Sequence, residues 1–124
     1  MNKVEGAFNY YDYNSAEKKV RKNWPDGAWY DLIRTEIDCE RPVLYRGDKS
    51  DLITEKHFWV LDGYDALDPN LFHMNWGWRG SFNGFFSLND LTPSSSNFNK
   101  NQMAIVGVSP SYNEIPNNIF DVSY

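Results

Sequence analysis

Trp29, Leu32, Ile33 and Ile37 recur three or four residues apart with charged residues between them, the spacing of one face of a helix. The pattern predicts a helix over 14–40, with Asp26 as candidate N-cap and Arg41-Pro42 as the stop. From Val43 onward short apolar runs alternate with turn residues, the mark of an antiparallel sheet. Strands are predicted over 43–46, 57–62, 71–78, 84–88 and 103–108, divided by turns at 47–51, 65–70, 79–83 and 89–101. Phe58-Trp59-Val60-Leu61 is apolar at every position, which predicts a central strand covered on both faces. The tail 111–124, with Pro116 and three asparagines, is expected to fray. The fold class is therefore α+β, an N-terminal helix followed by an antiparallel sheet.

Composition narrows this only a little. At 124 residues the chain is sized for one domain with a small core. An apolar fraction of 41%, of which aromatics supply much, belongs to a folding chain rather than a disordered one. The net charge of −5 leaves no basic footprint, so nucleic acid and anionic membranes are poor partners. One cysteine excludes an internal disulfide. Residues 1–15 have no apolar segment of the signal-peptide kind, and no window approaches the ~18 apolar residues of a membrane span. The chain carries no legible address.

The chemistry is concentrated between Lys56 and Pro93. His57 opens the apolar strand that leads to Asp62-Gly63. A later strand delivers Phe72-His73-Met74-Asn75-Trp76-Gly77-Trp78, then Gly80 and Gly84-Phe85-Phe86-Ser87-Leu88. Glycines beside tryptophans predict a backbone that turns tightly next to large flat rings, which core packing alone rarely needs. An imidazole titrates near neutrality and can take a proton from a nucleophile and return it to a leaving amine. Either an asparagine side chain or a backbone carbonyl can fix its tautomer.

These segments, with Arg41-Pro42-Val43-Leu44-Tyr45-Arg46-Gly47 before them and Ala104-Ile105-Val106-Gly107-Val108-Ser109-Pro110 after, resemble the C-terminal half of the streptopain-like C10 cysteine peptidases. The resemblance implies a papain-like fold, of which residues 1–110 would be the β-rich, histidine-bearing portion. It implies that His57 is the general base and that Asn75 and Trp76 are the residues that orient it. Trp78 would line the substrate cleft. Lys56, with Glu55, stands where the family has small residues against the substrate backbone. The implied partners are a peptide or protein substrate and a Cys-bearing N-terminal half. No cofactor and no metal are implied. The family's nucleophilic cysteine and oxyanion-hole donors lie upstream of the histidine, so this chain is expected to be inactive alone. The family is typically secreted by bacteria. Here the stretch 94–101 is rich in Ser and Asn where the family has glycines, so substrate preference does not carry over.

Other features have plainer explanations. Cys39 falls at the predicted helix C-terminus, where the dipole disfavours a thiolate. His73 shares a strand face with Asn75 and is assigned a structural role. Arg46-Gly47-Asp48 spells an adhesion tripeptide, but Gly-Asp is expected to be a turn. Asp62, Asp65 and Asp68 alternate as in a calcium loop, without the following Gly and Glu. Separation from a Cys-bearing half is expected to uncover aromatic surface around Trp59, Trp76 and Trp78 and to promote self-association. The alternatives to a peptidase component are a non-catalytic peptide- or protease-binding remnant and a chain that does not fold stably.

Overall fold

The computed structural model describes residues 16–50 and 55–108. The tail 111–124 and the opening residues 1–15 lie outside the described residues. Six strands form one antiparallel sheet: β1 Glu17–Val20, β2 Val43–Asp48, β3 Lys56–Tyr64, β4 Leu71–Asn75, β5 Gly84–Ser87 and β6 Lys100–Val106, in the spatial order β1-β6-β2-β3-β4-β5. Four strands from β2 to β5 follow one another as a meander; β6 then crosses back to pair with β2 and β1. One helix, α1 (Asp26–Asp38), lies on one face.

The helix begins at Asp26, not at residue 14. Pro25 is the cause: the residue before a proline is pushed out of the helical region, and Trp24 is extended (φ −125°, ψ 140°). Pro25 itself is the N-cap, and Asp26 occupies the first turn, where its charge suits the helix dipole. The preceding residues form β1 and a 3-10 turn, Arg21–Asn23. β1 is polar (Glu17, Lys18, Lys19) because it is a sheet edge, and lysines blunt edges.

Trp29, Tyr30 and Ile33 bury their side chains in one core with Val43, Tyr45, Trp59, Leu61, Phe72, Met74 and Ala104 from the sheet and Trp76 just beyond β4. The polar atoms inside this core are paired. Trp29 Nε1 donates to Tyr45 Oη (3.0 Å), whose hydroxyl donates to Gln102 Oε1. Gln102 Nε2 in turn donates to the carbonyls of Leu88 (2.8 Å) and Asn99 (3.0 Å). Burial pushes the Tyr45 phenol far above its usual range, so it stays protonated as this chain of donors requires. Glu36, also buried, accepts from Arg41 Nε (3.1 Å) and from Gly107 N–H, tying α1 to the end of β6. Among the described residues no buried side-chain polar atom lacks a partner.

Three expectations change. β3 is interior in the sheet, but only Trp59 and Leu61 are fully covered; Phe58 and Val60 are half-buried on the face away from α1. β2 runs on through Gly47 and Asp48, so the adhesion-like tripeptide is strand, not turn. Arg46 and Asp48 share a face there and form a buried two-point ion pair (3.0 and 2.9 Å), which leaves the tripeptide no surface to offer. β6 starts at Lys100, inside a stretch expected to be loop, because Gln102 is a buried polar residue that hydropathy cannot place.

Candidate functional site: an imidazole among aromatics

His57 enters β3 directly opposite Gly47 of β2, on the same sheet face as Tyr45, Trp59 and α1. Strand alternation then brings Trp59 alongside it, at 5.7 Å between ring centroids. The chain leaving β4 turns back at Trp76 and stacks Trp78 on the imidazole at 4.8 Å and 18°. Phe98, arriving from the loop before β6, packs on His57 at 5.3 Å and also touches Trp59, Trp76 and Trp78. Four aromatic rings therefore surround one half-buried imidazole.

Among the described residues its one polar anchor is the carbonyl of Trp76, 3.0 Å from Nε2. A carbonyl only accepts, so Nε2 carries the proton and the neutral ring leaves Nδ1 as its basic nitrogen. Burial lowers the His57 pKa below the usual 6.5, and the Trp76 carbonyl opposes that in part. The unfolded chain thus binds the proton more readily than the folded one. The stability this neutral imidazole contributes is complete above pH 6.5 and is lost as the pH falls from 6.5 towards the folded value. An NMR titration should return a His57 midpoint below 6.5; a midpoint at or above it would mean the ring is solvated or faces a carboxylate.

His57, Trp76 and Trp78 are brought together. Asn75 and Lys56 are not: strand alternation sends their side chains to the opposite face, paired with Val60 and Asp48. Asn75 Oδ1 instead accepts the N–H of Gly77 (3.1 Å) and so shapes the turn whose next carbonyl meets His57. Of the two ways to orient the imidazole, the backbone carbonyl is the one present. His73 lies on that opposite face too, its Nδ1 2.6 Å from Asp62 Oδ1 and its ring edge-on to Phe85. Cys39 sits beside Asp38, which accepts from Tyr64 Oη at the far end of β3. From His57 to Tyr64 the strand runs roughly 23 Å at 3.3 Å per residue, well beyond proton-transfer reach of the imidazole.

Phe98, Asn83 and the close approach at Gly47 are site features that sequence reasoning missed. A lone aromatic in the Ser- and Asn-rich stretch 94–101 was the available signal for Phe98. The expected uncovering of Trp59 and Trp76 does not occur. They are 2% and 0% exposed, because α1, Phe86 and Phe98 close over them; only Trp78 is partly open. Asp65 and Asp68 accept the N–H groups of Leu67 (2.8 Å) and Asn70 (3.3 Å), which uses them as turn residues. Among the described residues no three His, Cys, Asp or Glu side chains gather as a metal site, and no helix is long and apolar enough to cross a membrane.

The architecture, one helix on a mostly antiparallel sheet with an imidazole set among aromatic rings, is that of a cysteine peptidase-like region. The chain belongs to the peptidase C10 family, whose model matches residues 1–86. It is 37% identical over 99 residues to the thiol protease/hemagglutinin PrtT of Porphyromonas gingivalis, covering 74% of this chain and 11% of that protein. To streptopain of Streptococcus pyogenes it is 33% identical over 108 residues, covering 81% and 26% respectively. The active wild-type interpain A cysteine protease of Prevotella intermedia superposes with a TM-score of 0.69 at 30% identity, over 77% of this chain and 39% of that one. The chain thus spans about a quarter of streptopain's length and about a tenth of PrtT's.

Proposed function

We propose that this chain supplies the base side of a cysteine endopeptidase site, completed by a thiol on polypeptide outside these residues. In this reading His57 Nδ1 takes the proton of that thiol, the thiolate attacks the scissile carbonyl of a peptide, and the imidazolium returns the proton to the leaving amine. Trp76 holds the ring through its carbonyl and Trp78 walls the cleft. Lys56 would meet substrate only through its backbone, since its side chain faces away. The observation that supports this most is the Nε2–Trp76 bond, which keeps the proton on Nε2 and leaves Nδ1 as the basic nitrogen. Membership in a peptidase family supports protein as the substrate class.

Alone, the chain should show no thiol-dependent turnover of casein or peptide amides, because a base with no aligned thiol has no proton to take. Joined to a Cys-bearing half of a C10 peptidase, it should gain turnover that a thiol-alkylating reagent blocks and Cys39→Ser leaves intact. Turnover by the lone chain that Cys39→Ser removes would overturn the assignment. A second reading, a peptide- or protease-binding module, is favoured by one observation: Trp59 and Trp76 are already buried by the chain's own residues. It predicts saturable peptide binding by the lone chain and no turnover in any pairing.

A further inference from the structure

The β4–β5 ladder ends at the pair Met74–Gly84. In a regular antiparallel ladder the N–H and C=O of one residue face the same neighbouring strand. At Trp76, two residues past the last pair, they part. Its N–H is accepted by the side-chain Oδ1 of Asn83 (3.1 Å), on the β5 side, while its C=O turns to His57 Nε2. The carbonyl of Phe82 accepts the indole Nε1–H of Trp76 instead (3.0 Å). The connecting loop carries the conformational cost of this arrangement. Gly77, Arg79, Gly80 and Phe82 all have left-handed backbones (φ 81°, 56°, 88° and 63°), and the Phe82 side chain is 55% exposed. Non-glycine residues keep such conformations only where their surroundings over-determine them, and they concentrate at functional sites.

We infer that Asn83 is a positioning residue for His57. A side-chain oxygen on the Trp76 N–H removes the need for a backbone partner on β5. The Trp76 peptide can therefore stay rotated, with its carbonyl aimed at the imidazole. Without that oxygen, the N–H is satisfied by extending the ladder, which pulls the carbonyl towards β5 and away from Nε2. The bond is part-buried, and leaving its donor without a protein partner there costs free energy that extending the ladder recovers. Among the described residues the hydrogen bonds of Asn83 run to the Trp76 N–H and the Gly80 carbonyl and not to the imidazole, so it acts through the Trp76 peptide. Its effect on the ring is independent of what His57 does chemically; its effect on turnover rests on His57 being the base.

The test is NMR on the 124-residue chain, following the His57 ring. Above pH 7 the wild-type ring should carry its proton on Nε2, with a resonance protected from exchange by the Trp76 carbonyl. Asn83→Ala should lose that resonance and titrate at lower pH than wild type, since the carbonyl that favours the protonated ring is gone. Asn83→Asp, which keeps the acceptor oxygen, should restore the resonance. If the alanine variant does not fold, Asn83→Ser, whose hydroxyl stops short of the Trp76 N–H, takes its place. A wild-type ring protonated on Nδ1, or an unchanged Nε2–H signal in the folded alanine or serine variant, would overturn the assignment. In a protein joined to a Cys-bearing half, Asn83→Ala should lower kcat by about tenfold or more and change KM by less than about twofold. Loss of the resonance with unchanged kcat would keep Asn83 as the ring's support and remove His57 as the base.

Discussion

When this chain is joined to a Cys-bearing half and turns over peptide, His57→Ala should abolish that turnover, by on the order of 10⁴-fold or more. His73→Ala should retain at least about half of it at matched folding. The two histidines are the only ones in the chain, which makes the comparison clean. Both have a ring nitrogen engaged, so a hydrogen bond does not separate them. Their faces do. His57 shares the buried face with Trp59 and is roofed by Trp78 and Phe98, where excluded water strengthens the proton-transfer partner's electrostatics. His73 is held by the exposed Asp62 on the other face, where its substitution removes one solvent-exposed hydrogen bond of small worth. Steady-state rates on a fluorogenic peptide, with circular dichroism to confirm folding, decide the matter. Equal losses in the two variants would sink the assignment of His57.

The aromatic block and its histidine were legible in the sequence because their chemistry is local. Trp76, Gly77, Trp78 and Gly80 lie within five residues, and a turn beside flat rings needs that order. The α+β class was legible too, since β2 to β5 are sequential neighbours whose runs and dividers alternate in plain sight. β1 was not, because Glu17-Lys18-Lys19-Val20 becomes a strand only through Met103 to Val106, more than eighty residues away in sequence. Asn75 and Lys56 show another limit. Adjacency in sequence to Trp76 and His57 places them near the site, yet the two-residue period of a strand turns their side chains to the opposite face. Phe98 stood out only as a lone aromatic in a polar stretch, and its place over His57 follows from the loop before β6 folding back over β2.

Gly47→Ala should be among the most destabilising single-methyl additions available in this protein. Gly47 reads like a turn glycine, yet it lies within β2 and its φ is not in the left-handed region, so its backbone would accept alanine. The obstacle is space. A Cβ at Gly47 would stand 1.9 Å from the carbonyl oxygen of Phe98 and 2.9 Å from Trp59 Cη2. Backbone cannot rotate out of the way as a side-chain tip can, so the loop carrying Phe98 must lift. Lifting it uncovers His57, Trp59 and Trp76, and loosens Asn99, whose carbonyl accepts from Gln102. A loss of about 3 kcal/mol or more is expected from overpacking with loss of aromatic contact, a melting-point drop of more than about 10 °C for a domain of this size. Gly27→Ala is the matched control. It lies in the first turn of α1, and a methyl added there would meet nothing within 4 Å, so replacing this helical glycine should instead raise stability by up to about 1 kcal/mol. Thermal melts followed by tryptophan fluorescence report both changes at once, because Trp59 and Trp76 sit under the loop that has to move. If Gly47→Ala melts within a degree or two of wild type, the Phe98 loop does not lie on β2, and the aromatic roof over His57 falls with it.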